Sequence, residues 1–273
     1  MFCEETAFYH EGGYIMTKTA LKNTAFFAAL LLTAALPLSL QKEAQFSNTL
    51  TAYADDDEET YTEGEQNGVQ YLKYSDHIEI SGCDSSLTEV KIPSQIESLP
   101  VTKIDTNVGG FCAMKTLTLP DTLEEIGAYA FSWCENLESV TLPDSLKLID
   151  FQAFEYCPSL KTVNFPDHLV KTSSLTFNET PWLAAQRQKD PLVIVNGAVI
   201  DGRTCKGAVT IPSDVKYVAA GAFSENNDLT SVVFPASIDH IEDNMFGYCE
   251  NLTSVELKGS TSLAYGVFAS CNK

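Results

Sequence analysis

Eight cysteines are the most reactive side chains in this 273-residue chain, and thiols can bridge, ligate a metal or act as nucleophiles. Cys134, Cys157, Cys249 and Cys271 each stand three residues after a phenylalanine, Phe131, Phe154, Phe246 and Phe268. That shared position reads as a small apolar residue filling one layer of a core. Bridges such as Cys134 to Cys157 or Cys249 to Cys271 are the alternative. Stacked strands roughly 4.7–4.9 Å apart satisfy the Cα requirement for them but strain the Cβ spacing. No CxxC pair supports a zinc ribbon or a thioredoxin-like site. GxSxG, HExxH, phosphate-loop and GxGxxG patterns are missing, and beyond residue 54 the only histidines are His77, His168 and His240, each read as a turn residue. The chain reads as a non-enzyme with no catalytic residue, metal set or cofactor.

A repeat positions these cysteines. The prolines that follow short apolar segments, Pro93, Pro120, Pro143, Pro166, Pro212 and Pro235, with Lys258 in the same place, are spaced 27, 23, 23, 46, 23 and 23 residues apart. Phe131, Phe154, Phe177, Phe223, Phe246 and Phe268 keep the same phase. One instance of the unit carries apolar residues at Leu137, Val140, Leu142, Leu146, Ile149, Phe154, Cys157 and Leu160. So short a piece cannot bury them alone, so successive units must stack into a solenoid. Val140 and Leu142 alternate with Ser139 and Thr141 at a strand's period, and the proline ends the strand because it cannot donate to a ladder. A parallel sheet on one side and short or helical turns on the other follow.

The motifs SVTLPDSLKLIDFQAFEYC, TLTLPDTLEEIGAYAFSWC and SVVFPASIDHIEDNMFGYC resemble the BspA-type leucine-rich repeats of bacterial surface and secreted proteins, over about residues 69 to 273. The resemblance implies a right-handed, β-dominated leucine-rich-repeat solenoid of mixed α/β class, acting as an adhesin or protein-binding module. It names no partner, because a fold does not carry its function.

The chain divides on these grounds into five parts, the last carrying an insertion. Residues 1–15, acidic and without Lys or Arg, read as an upstream extension from a misassigned start, Met16 being the better one. Residues 16–54 read as a signal peptide: Lys18 and Lys22 precede the apolar run from Ala25 to Leu36, and Ala52-Tyr53-Ala54 predicts cleavage after Ala54. Residues 55–68 read as an acidic linker, and 69–86 as an N-terminal cap hairpin, Val69 to Tyr74 against His77 to Ile80. Residues 87–273 form the solenoid, interrupted at 178–207. There Thr180 and Pro181 predict the start of a short helix, Asp190-Pro191 its stop, Trp182 its anchor, and Asn196-Gly197 a tight hairpin. The sequence stops at Lys273 in mid-repeat, which reads either as truncation or as an end that docks on something.

Two surfaces are candidates for binding. Outward strand positions two before each proline are Lys91, Thr118, Thr141, Asn164, Thr210, Val233 and Glu256; four before, they are Glu89, Thr116, Ser139, Thr162, Ala208, Ser231 and Ser254. They are expected to tile one continuous face. An aromatic stripe, Trp133, Tyr156 and Tyr248, precedes the repeat cysteines; it could bind sugar rings or a protein, or simply shield the coil. A net charge of −20 with only two arginines, Arg187 and Arg203, disfavours nucleic acid. The expected role is a secreted or cell-surface module for protein binding or adhesion, its partner a host or bacterial surface protein, with a glycan as the other possibility. Membrane contact is expected only through an uncleaved leader. The competing reading is a carbohydrate-binding or spacer module of a larger exported enzyme, truncated here.

Overall fold

The computed structural model describes residues 60–110, 113–173 and 175–271. The expected upstream extension, signal peptide and Asp55 to Glu59 lie outside the described residues. The chain is a β-solenoid of about eight turns with little helix. Each proline-terminated segment is a strand three to six residues long whose central apolar residue points inward: Val90, Leu117, Val140 and Val163 are buried between exposed neighbours. In-register parallel pairing joins Val90 to Leu117 and Val140 to Val163. All eight apolar positions of the unit from Leu137 to Leu160 are buried, none more than 3% exposed.

The returning half is more ordered than turns alone. Glu125–Ile126, Leu148–Ile149 and Lys171–Thr172 form a second parallel ladder, two residues per coil. The cap joins this second sheet: β1 (Thr62–Gln66), β2 (Val69–Lys73) and β3 (Ile78–Cys83) are an antiparallel meander, and β3 continues in parallel into Leu99–Ile104. Thus β1 occupies a segment expected to be linker. It has little apolar character of its own. Pairing with β2 holds it, and Gly64 admits the ring of Tyr71, which would lie 2.3 Å from any added Cβ.

The 46-residue gap is filled by one more coil, of different construction. Helix α1 (Pro181–Lys189) replaces the first strand, with Thr180 as N-cap accepting from the Leu183 N–H. Trp182 packs 4.8 Å from the Phe177 ring centroid and anchors the helix to the core. The hairpin Val193–Val195 to Ala198–Asp201 turns at Asn196 and Gly197, whose positive φ values of 48° and 79° suit the tight turn. Gly202 then takes the phenylalanine's place. Its N–H donates to Ala222 O at 2.7 Å as that of Phe131 does to Ala153 O, and the Phe223 ring fills the space a side chain would need.

Phenylalanine rings stack from coil to coil at 5.4–5.6 Å, through Phe131, Phe154 and Phe177 and again through Phe223, Phe246 and Phe268. Phe154→Ala, in the middle of the first run, should lower unfolding free energy in urea by about 3–5 kcal/mol. Thr141→Ala on the exposed strand face should change it by no more than about 0.5 kcal/mol; equal losses would contradict the assignment.

At the cap, His77 stacks on Tyr74 with ring centroids 4.6 Å apart, and pairs with Asp76 at 2.7 Å and Glu79 at 3.5 Å. Lys103 also faces Glu79, at 3.6 Å. Burial lowers the His77 pKa, but the two carboxylates outweigh it and the net shift is upward. A raised imidazole stabilises the fold fully below its unfolded value, about 6.5, and ceases to as pH rises through the folded value. Asp76, held below its ordinary range by His77, stays charged across that window. The melting temperature should therefore contain a component that falls between about pH 6 and 8 and disappears in His77→Gln. An identical pH profile in the variant would overturn the assignment.

Candidate functional site

The strand face is built by the alternation that fills the core. Glu89, Lys91, Thr116, Thr118, Ser139, Thr141, Thr162 and Asn164 are exposed on a four-stranded sheet. Asn164 Nδ2 donates to Thr141 Oγ1 at 3.1 Å, joining two coils through side chains. Ala208, Thr210, Ser254 and Glu256 are exposed on a separate three-stranded sheet, where Ser231 and Val233 are half-buried. The expected continuous face is therefore two ribbons, because α1 occupies the strand position between them. Val140 and Val163 pair on the first ribbon, whereas Val232 pairs with Val209 and Val255 on the second. On the first, a shallow groove of about 490 Å³ runs between neighbouring coils past Thr118, Asp121, Thr141 and Asp144.

The corner after each phenylalanine carries three columns with different chemistry. In the first, Glu155, Asn178 and Arg203 follow Phe154, Phe177 and Gly202. Asn178 Nδ2 donates to Glu155 Oε1 at 3.0 Å, and Arg203 donates to Asn178 Oδ1 at 3.2 Å and to Glu225 at 3.3 Å. Gln152 also donates to Glu155, whose carboxyl is raised by burial against the opposing Asn178 bond. Arg187 donates from Nε and a terminal nitrogen to the two carboxylate oxygens of buried Asp201, at 2.9 and 2.7 Å. Both arginines of the chain thus hold the inserted coil in place.

The second column holds the aromatic stripe. Trp133, Tyr156, Glu179, Glu225, Tyr248 and Ser270 all have φ between 53° and 61°, a left-handed conformation costing non-glycine residues about 1–2 kcal/mol. The N–H groups of Trp133, Tyr156 and Tyr248 donate to carbonyls of the next coil, at Glu155, Asn178 and Ala269. Trp133 and Tyr156 stack with centroids 4.3 Å apart and 15° between planes, each about 40% exposed. Tyr248, 61% exposed, lies in another part of the column, where Glu225 and Ser270 hold the matching positions of its neighbouring coils. The stripe is one stacked pair and one separate tyrosine.

The third column holds the cysteines, and their role exceeds filling space. Cys134, Cys157, Cys249 and Cys271 donate S–H to the carbonyls of Gly109, Phe131, Phe223 and Phe246 at 3.0–3.2 Å. Asn226 occupies the same place and donates to Gly202 O at 3.0 Å, so five coils place a donor to the preceding coil here, whereas Thr180, three residues after Phe177, donates to Phe177 O within its own coil at 2.7 Å. Cys205, three residues after Gly202, belongs to this column too, and Asn226 donates to its carbonyl at 2.9 Å. Cys157, Cys205, Cys249 and Cys271 are free thiols. Burial, then the charges of Asp201 and Asp190, push the Cys205 thiol up to about 11; burial also raises Cys249.

The histidines are dispersed. His77 serves the cap, His168 Nε2 bonds Leu146 O at 2.9 Å, and His240 Nδ1 bonds Ser262 Oγ at 2.8 Å. Among the described residues no group of three or more His, Cys, Asp or Glu is placed to hold a metal ion, and no helix is long and apolar enough to cross a membrane.

Among protein families, the BspA type leucine rich repeat region matches in six copies over residues 81–186 and 204–273. No curated protein matches significantly. Similar solved structures include the T. pallidum leucine rich repeat protein, 27% identical over 77% of this chain and 90% of that one, with a TM-score of 0.43. A leucine-rich repeat protein from Bacteroides capillosus is 23% identical over 44% and 93%, TM-score 0.41. The pneumococcal vaccine antigen PcpA is 16% identical over 75% and 72%, TM-score 0.37.

A thiol reagent at pH 8 should leave Cys134, Cys157, Cys205 and Cys249 unmodified in the folded protein and modify all four in denaturant without reductant. Protection that persists in denaturant would establish bridges and contradict the donor column.

Proposed function

We propose that this chain, which belongs to the BspA-type leucine-rich-repeat family, is a non-catalytic protein-binding or adhesion module that acts outside the cell or on its surface. The observation carrying the proposal is the first ribbon. Four parallel strands hold Glu89 to Asn164 in fixed register, with small polar side chains outward and a groove at Thr118 and Thr141. A surface whose backbone is already ordered loses little entropy when a partner settles on it. Export rests on the leader read at residues 16–54. Of the two candidate partner classes, protein is favoured because small hydroxyl and amide side chains offer hydrogen bonds without the large rings that saccharide recognition uses. The carbohydrate-module reading draws on the Trp133–Tyr156 stack instead.

Binding of the labelled full chain to host or bacterial cells tests this. It should saturate, vanish when the cells are treated with protease, and fall at least tenfold in a Thr118→Arg, Thr141→Arg double variant whose melting temperature is unchanged. Binding that survives protease but is lost after deglycosylation of the cells would favour the carbohydrate module. Indifference to both substitutions would remove the ribbon from the account.

A further inference from the structure

We infer that the strand Ser254–Leu257 is an interface between two copies of this chain, which pair edge to edge and antiparallel about a two-fold axis at Leu257. Such pairing is independent of the binding function proposed above, because the partner is the chain itself.

The backbone makes the edge available. Ser254–Leu257 is the outer strand of the second ribbon, and among the described residues no strand pairs with its far side. In the interior coils the residue before the proline donates its N–H to the following coil: Ile92 to Thr118 O, Leu142 to Asn164 O and Ile211 to Val233 O, at 2.9–3.0 Å. Leu257 holds that place here, so its N–H and C=O both face the open side. An unpaired edge of this kind is a template for another strand. Two antiparallel copies meeting at Leu257 exchange both bonds of that residue, which is the closely spaced pair of an antiparallel ladder.

The side chains fix the register. Lys258 stands where the other coils carry Pro93, Pro120, Pro143, Pro166, Pro212 and Pro235. Its N–H donates to Phe234 O at 3.2 Å, a bond proline could not make, so the ordered edge runs one residue further. Glu256 and Lys258 are both exposed and two residues apart, hence on the same face. With Leu257 on the axis, Glu256 of each copy lies opposite Lys258 of the other, which makes two cross-strand pairs of opposite charge. An axis at Glu256 would instead set two carboxylates against each other.

Charge and apolar surface agree with this contact. From Cys249 to Cys271 the charged side chains are Glu250, Glu256 and Lys258, so two copies of a chain of net charge −20 meet here with little repulsion. The same coil leaves its interior open. Leu263 is 53% exposed while Ile241, its partner in the ladder, is 1% exposed; Phe268 is 44% exposed while Phe246, on which it stacks, is fully covered. The two-fold axis lays one open interior against the other and hides in each copy what a following coil hides elsewhere. It also doubles the three-stranded sheet of the second ribbon.

Analytical ultracentrifugation of the full chain at up to about 100 µM, where pairs of modest affinity assemble, should show a dimer. Glu256→Lys and Lys258→Glu each set like charges opposite one another twice, and each should weaken self-association about tenfold or more. Both positions are exposed, so circular dichroism of dilute samples should match that of the parent chain. Mixed in equal amounts, with one variant carrying a fluorophore, the two should form a heterodimer, because every cross-strand pair is then of opposite sign. The variant with both substitutions should dimerise as the parent does. A parent chain that stays monomeric would overturn the proposal. So would a dimer that tolerates both single substitutions, the result expected if the run from Ala25 to Leu36 held the copies together. Single variants that dissociate and do not recover on mixing would overturn the Leu257 register and the proposal with it.

Discussion

No coil of this protein contains enough interior to fold by itself, and the structure depends on each coil covering the phenylalanine of the one before. Ring stacking at 5.4–5.6 Å and the bond from the phenylalanine-position N–H to the next coil's carbonyl, made at Phe131, Phe154, Gly202, Phe223 and Phe246, are two aspects of one constraint. The repeat length must place a flat apolar ring and a backbone donor at the same point on every turn. The cysteine column is a further consequence. Its S–H groups satisfy carbonyls that face the interior at the coil's corner, which is why Asn226 can substitute there and a purely apolar side chain would leave an acceptor without a partner.

The inserted coil shows what the constraint tolerates. A helix can replace the strand, because Trp182 and Leu183 fill the core that the strand would have filled. The corner is less negotiable: Gly202, Arg203 and Cys205 return to phase even though the phenylalanine itself is missing. The chain's two arginines are both used here, where geometry departs furthest from the repeat. Arg187 closes the helix onto the hairpin through Asp201, and Arg203 links the inserted coil to both neighbours. The same insertion divides the strand face into two ribbons and lines a groove with Pro181, Leu183, Ala184 and Arg187. One departure from the repeat thus shapes the strand face available to a partner.

Much of the architecture was legible in the spacing of proline, phenylalanine and cysteine, because those residues answer directly to the stacking constraint. The helix cap at Thr180 and the turn at Asn196-Gly197 were legible for local reasons, being set by side-chain hydrogen bonding and positive φ. The second ladder was not, since strands of two residues are too short to show a period. Nor was β1, where pairing with β2 overrides a weak propensity. The insertion reads as an interruption because its marker ring is replaced by glycine; Cys205 carries the missing phase, three residues past Gly202. At the candidate sites, the outward positions followed from alternation, while the split of the face and of the aromatic stripe depends on which coils adjoin.

The central claim is that the chain forms one stack of coils running unbroken through the segment from 178 to 207. Native-state amide hydrogen exchange tests it most directly, because a coil protects its amides through its neighbours. The Gly202 amide, bonded to Ala222 O, should exchange as slowly as those of Phe131 and Phe223 and share their dependence on urea. Fast exchange at Gly202, independent of denaturant while Phe131 and Phe223 stay protected, would show a separate loop there and contradict the continuous stack.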